Sequence, residues 1–213
     1  DKSKRVALLV GNAKYKVSPL KNPINDIKLL EKTLKSTGFE VIKVTNVDRT
    51  EFKRALGKFR SKLEEYGEET NALFYYSGHG MQYEGKNYLI PLKSELDDEY
   101  TLEEETISAN RIYSAMRPIT AGARIILLDA CRDNQFKSFF RSGTRGLAVM
   151  NAVTGTLIGY ATGPGEVALD GNGKNSPFAK ALAENIIIPG LPLEQVLKKA
   201  RIMVREETDN RQT

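Results

Sequence analysis

Five short apolar runs constrain this chain more than any other feature: RVALLVG (5–11), FEVIKV (39–44), ALFYY (72–76), RIILLDA (124–130) and TLIGYAT (156–162). RVALLVG is nearly continuous in apolar residues, as a strand buried on both faces of a parallel sheet must be. Between the runs lie segments of helical period. In NPINDIKLLEKTLKSTG, Ile24, Ile27, Leu30 and Leu34 share a face, Pro23 stands in the first turn and Gly38 just past the end. That punctuation marks a helix. A second helix is predicted from a Thr50 cap to Tyr66, with Phe52, Leu56, Phe59 and Leu63 inward. Others are predicted from Ser108, carrying Ile112, Tyr113 and Met116, from a Ser176 cap to Ile187, and over 193–206. MQYEGKNYLIP reads as a hairpin about Glu84-Gly85. The third run is expected to break at Ser77-Gly78-His79-Gly80, and 133–153 reads as a long mobile loop. Strand alternating with helix makes this an α/β protein, a three-layer α/β/α sandwich around a mainly parallel sheet. In such sheets chemistry gathers beyond the carboxyl ends of the strands.

Composition narrows the function classes. A chain of 213 residues is long enough for one domain with a sizeable core. The net charge is +5, but Lys and Arg are spread among Glu and Asp along helix faces, so no nucleic-acid surface is expected. No apolar run approaches the ~20 residues of a membrane span. A single Cys excludes an internal disulfide, and one Cys with one His does not make a zinc site. With no signal-like apolar stretch a cytoplasmic setting is the expectation, and because the chain begins at Asp1 without Met, as a trimmed piece would, export stays open. A monomer is the expected state.

With one residue of each kind, the surroundings of His79 and Cys131 carry the functional argument. Each follows a predicted buried strand, His79 within YYSGHG and Cys131 within LLDACRDN. A thiol needs a base or a cation beside it to act as a nucleophile near neutral pH, and His commonly supplies this. Taken singly, a strand-end Cys is more often an inert small hydrophobe, and a His in a Gly-rich turn is more often a surface residue. Their joint placement at two strand ends of one sheet favours catalysis. They lie 52 positions apart with His first, an order that fits caspases and not papain.

YYSGHG and LLDACRDN resemble the two signature blocks of the caspase, paracaspase and metacaspase superfamily, especially its bacterial members, the orthocaspases. The likeness extends from RVALLVGN through NPINDIKLL to GYATGPGEVALDG and NSPFAKAL. It implies a caspase-type sandwich and a cysteine endopeptidase, with His79 as general base and acid and Cys131 as nucleophile. The backbone N–H groups of Gly80 and Cys131 are implied as the oxyanion hole. It also divides the single domain into a large-subunit-like part (1–135), a linker (136–154) and a small-subunit-like part (155–213).

Asp129 stands where caspases proper carry glutamine, which puts specificity for aspartate in doubt. Asp129 is two residues before Cys131 and should share its side of the strand. Asp26 matches a position where relatives that cut after Arg or Lys carry an acid; its bland alternative is a first-turn helix acid favoured by the macrodipole. Two carboxylates suit a guanidinium, so the implied substrates are proteins or peptides with Arg or Lys before the cut. Ser77 and Glu166 are further candidates for the same pocket. Lys137, Arg141 and Arg145 are candidate self-cleavage sites in the 137–151 stretch. No cofactor is required; calcium is a candidate through Asp97, Asp98, Glu103, Glu104 and Glu105, although a solvated loop explains that run as well. The competing readings are a catalytically silent scaffold that binds partner proteins and a nucleotide-binding α/β domain. The second lacks a GxxxxGK[ST] loop, since GNGKNS is too short and follows no strand.

Overall fold

A computed structural model describes residues 3–131, 147–152, 154–163, 168–171 and 173–212. Five parallel strands form the main sheet: β1 (Arg5–Gly11), β2 (Glu40–Thr45), β3 (Asn71–Tyr83), β6 (Arg124–Cys131) and β7 (Thr156–Tyr160). Their spatial order is β2-β1-β3-β6-β7. A small antiparallel extension, β4 (Lys86–Leu89) and β5 (Ile107–Ser108), pairs with the far end of β3.

Alternation along the strands builds both outer layers, because successive side chains face opposite sides. Val6, Leu8, Val10, Phe74, Tyr76, Ile126 and Leu128 pack with α2 (Arg49–Tyr66) and α4 (Ala109–Ala115) through Phe52, Phe59, Leu63 and Ile112. Ala7, Leu9, Leu73, Tyr75, Ile125 and Leu127 pack on the other side. There they meet α1 (Pro23–Ser36), α5 (Pro177–Ile186) and α6 (Leu193–Glu207). The architecture is the expected α/β/α sandwich. From β1 the chain goes first to β2 on one side and later to β3 on the other, so the order reverses at β1/β3. Sites in open sheets collect at the carboxyl side of such a reversal.

Several local expectations change. The second helix is capped by Asp48, whose side chain accepts from the Glu51 N–H while Glu51 reaches back to the Asp48 N–H. The fifth run ends as a strand at Tyr160. Part of the acidic stretch is a short helix, α3 (Glu99–Glu105), with an Asp98–Thr101 capping box and Leu102 buried. Most consequential, β3 does not break at Ser77. It continues through the His79 block to Tyr83 and turns back into β4 through Glu84 and Gly85, both at positive φ. Two consecutive left-handed residues suit the twist of a two-residue hairpin. Within the main sheet the block is held on both sides, by Gly11 against Ser77 on β1 and by Cys131 against His79 on β6.

Candidate active site

The ladder between β3 and β6 sets the geometry. His79 and Cys131 are direct register partners, and Ser77 and Asp129 are partners two residues earlier. Neighbouring parallel strands lie about 4.8 Å apart, so the backbones of the two chemistry-bearing residues run side by side. The glycines around His79 serve close approach rather than a turn. A Cβ on Gly78 would stand 2.5 Å from the Tyr76 hydroxyl, and one on Gly80 would stand 2.9 Å from the Ala130 Cβ.

His79 is buried and held from several directions. Its N–H donates to the Tyr15 hydroxyl at 3.0 Å, and its carbonyl accepts from the Tyr76 hydroxyl at 2.7 Å and the Ile90 N–H at 3.0 Å. The Tyr15 ring lies 4.3 Å from the imidazole. The imidazole Nε2 is 2.8 Å from the Ser18 carbonyl oxygen. A carbonyl only accepts, so this contact puts the ring proton on Nε2 and makes Nδ1 the basic nitrogen. Ser18 presents that carbonyl from left-handed backbone, φ 45°, a conformation uncommon for a residue with a side chain.

The acids converge on the α1/α5 side of the same strand ends. Asp26, in the first turn of α1, accepts at Oδ1 from the Asn175 Nδ2 and the Ser176 N–H, both at 2.9 Å, and contacts the Ser77 hydroxyl at 3.4 Å through Oδ2. Asp129 accepts at Oδ2 from the Tyr75 hydroxyl at 2.9 Å and the Ser176 hydroxyl at 2.5 Å. The Asp129 Oδ1 is buried without a partner among the described residues. An unmatched buried oxygen costs about 1–3 kcal/mol and is a standing place for a donor. Both carboxyl groups are 0% exposed. Burial is the main force on their protonation: it pushes Asp26 up to about 6, against the Asn175 and Ser176 hydrogen bonds. It pushes Asp129 up to about 7, with the Asp26 charge adding to the rise.

Sequence reasoning missed Asp170, four residues beyond Glu166. Its carboxylate accepts from the Lys21 N–H at 2.6 Å and the Asn22 N–H at 3.1 Å, tying its turn to the start of α1. Its charge raises both Asp26 and Asp129. The signal was present as the acid in ALDGNG. Ser176 is more than the expected helix cap: its hydroxyl both accepts from the Ala179 N–H and donates to Asp129. Glu166, Lys137, Arg141 and Arg145 lie outside the described residues.

A family model describing the caspase domain matches residues 4–213. The chain belongs to that family. Curated relatives include the human mucosa-associated lymphoid tissue lymphoma translocation protein 1 and its homolog in Mus musculus, each 28% identical over 169 residues. Those matches cover 78% of this chain and 19% of each relative. Membership of the caspase family agrees with the parallel sheet and the helical layers on both its faces. It supports a domain of cysteine-peptidase type. Among the described residues, no helix is long and apolar enough to cross a membrane, and the candidate calcium acids Asp98 and Glu103 are engaged, with Thr101 and with Tyr88.

Proposed function

We propose that this caspase-family domain is a cysteine endopeptidase that cuts after Arg or Lys and processes itself within 137–151. The observation that carries the specificity is the buried pair Asp26 and Asp129, with one Asp129 oxygen unmatched. A guanidinium entering there would pair with carboxylates and satisfy that oxygen, whereas an acidic side chain would add a third repelling charge. Asp170 deepens the negative potential of the same pocket.

In the proposed reaction His79 takes the Cys131 thiol proton, the thiolate attacks the carbonyl carbon, and collapse of the adduct breaks the C–N bond to leave a thioester on Cys131. The Gly80 and Cys131 N–H groups receive the developing oxyanion, where one donor is worth on the order of 10²–10³ in rate. His79, oriented by the Ser18 carbonyl, protonates the departing amine and then deprotonates the water that releases the acyl half. Thiol, imidazole, backbone N–H groups and water suffice, so the scheme draws on no cofactor.

The test is a set of peptides differing only at P1 as Arg, Lys, Gln or Asp, offered to wild type, Cys131→Ala, His79→Ala and the double variant. Arg and Lys should exceed Asp by about 100-fold or more in kcat/KM, as expected when a buried charge is left facing a like charge. Each single variant should lose nearly all turnover, and the double little more, because parts of one mechanism are not additive. Turnover by pure Cys131→Ala, or equal cutting after Asp and Arg, overturns the reading. A Cys131 that alkylates readily while no peptide is cut would point instead to a partner-binding scaffold.

A further inference from the structure

A cleft of about 740 Å³ adjoins His79. Its walls are residues 14–17, which follow β1, and residues 90–96, which follow β4. Neither Asp26, Asp129, Asp170 nor Ser176 lines it. The two walls are fastened to each other and to the catalytic block. The Tyr15 hydroxyl accepts from the His79 N–H and donates to the Ile90 carbonyl at 2.8 Å. Behind one wall the Asn46 carboxamide oxygen accepts from the Ala13 and Lys14 N–H groups, both at 3.0 Å. Behind the other the Leu92 N–H donates to Val47 at 2.9 Å. The cleft is therefore preformed, which limits the ordering cost of filling it.

Its chemistry differs from that of the acid pocket. Ile90 and Leu96 are buried within it, and Val17 is 63% exposed at its edge. Around them stand Lys14, Lys16 and Lys93 against a single acid, Glu95. Lys93 is 3.3 Å from Asp48. Lys14 and Lys16 are exposed and carry no ion pair among the described residues.

Resting on the peptidase reading, the direction of the chain through the site follows from the chemistry. The P1 side chain enters the acid pocket and its acyl group stays on Cys131. The amine half leaves past His79, which protonates it. The space that adjoins His79 and is apart from the acids is the space into which that half runs. We propose that this cleft is the subsite for the residues immediately after the cut, and that Lys14 and Lys16 make it prefer acidic residues there, set beside apolar ones. Acid pocket and basic cleft then flank the dyad with opposite charge, so a basic P1 followed by acids fits in one direction only.

The experiment uses quenched peptides with one common Arg-containing acyl half and a leaving half carrying Asp/Glu or Lys at its second to fourth positions. Wild type should favour the acidic series by about three- to tenfold in kcat/KM at low salt, the effect expected of two exposed charges. The ratio should shrink toward one at ~0.5 M NaCl, where charges are screened within a few ångströms. In Lys14→Glu/Lys16→Glu the ratio of the two series, taken within that variant, should reverse. Equal rates for both series, or a ratio unmoved by the double substitution, overturn the proposal. The peptidase reading is judged separately, by wild-type turnover of an Arg-aminocoumarin reporter that has no peptide after the cut. Should that reporter stay intact, anisotropy of labelled acidic and basic leaving-half peptides on Cys131→Ala protein decides the cleft. Selective binding of the acidic peptide sustains the subsite, and equal binding removes it.

Discussion

Asp129 carries a charge that its surroundings disfavour. Its folded pKa is raised to about 7 and that of Asp26 to about 6 from the ordinary value of 3.8. Between pH ~4 and ~7 the folded chain therefore holds more protons than the unfolded one, so stability falls as pH rises through that window. Asp129→Asn keeps an acceptor for Tyr75 and Ser176 and removes the charge. It should raise stability at pH 8 by up to about 4 kcal/mol at about 1.4 kcal/mol per pKa unit, less about 1–3 kcal/mol if the new amide NH2 is left unpaired, gain little at pH 4, and abolish cleavage after Arg. Denaturant melts at both pH values, run beside the Arg peptide assay, check this. Equal stability effects at pH 4 and pH 8 would show that the carboxyl is not held against its charge. Both acids could be picked out in the sequence through the blocks that carry them. Their burial could not, and neither could Asp170, because the hydrogen bonds that join Asp170 to Lys21 and Asn22 link distant parts of the chain.

At the scale of elements, β3 shows why a glycine-rich block need not be a turn. Ser-Gly-His-Gly carries the usual punctuation of a break, yet pairing with β1, β6 and then β4 keeps it extended. What Gly78 supplies is room for the two tyrosine hydroxyls that hold His79, and what Gly80 supplies is room for Ala130 on β6. Gly78→Ala would place a methyl 2.5 Å from the Tyr76 hydroxyl and 2.8 Å from that of Tyr15. Overpacking of this kind costs about 1–3 kcal/mol, and peptidase activity should fall further than stability because the shifted groups orient the imidazole. Gly57→Ala is the matched control: it lies within α2 with nothing within 4 Å of its added Cβ. It should be neutral or stabilise by about 0.5–1 kcal/mol. Melting and kcat measured on both variants separate the two cases, and a Gly78→Ala protein as active and stable as wild type would refute the packing argument. The long amphipathic helices were legible because their apolar faces repeat over several turns. Helix α3 was not, since Leu102 is its only buried residue and its structure depends on the Asp98–Thr101 cap.

On the scale of the whole molecule, Cys131 closes β6 and the described chain resumes at Leu147 beside the His79 block. Leu147 comes close enough that a Cβ on Gly80 would meet its Cδ2 at 3.4 Å. Ala148 is clamped there, its N–H and carbonyl exchanging hydrogen bonds of 2.6 and 2.7 Å with the Asn87 carboxamide. In the sequence Arg145 stands two residues before Leu147, a span of at most ~7 Å of chain, and Leu147 adjoins the candidate oxyanion donor Gly80. Tethers of this kind give effective concentrations that reach roughly millimolar. The expected outcome is a cut after Arg145, with Arg141 second, in freshly purified wild type and not in Cys131→Ala, read by intact mass. Its rate should be independent of protein concentration, as an intramolecular step requires. The two fragments should stay together on gel filtration, since the β6–β7 ladder from Arg124–Thr156 to Leu128–Tyr160 and the packing of α1 on α5 join them. An unbroken chain in wild-type enzyme that cuts Arg peptides would rule self-processing out. A cut whose rate rises with concentration would place one molecule's segment in another's groove and overturn the tether argument.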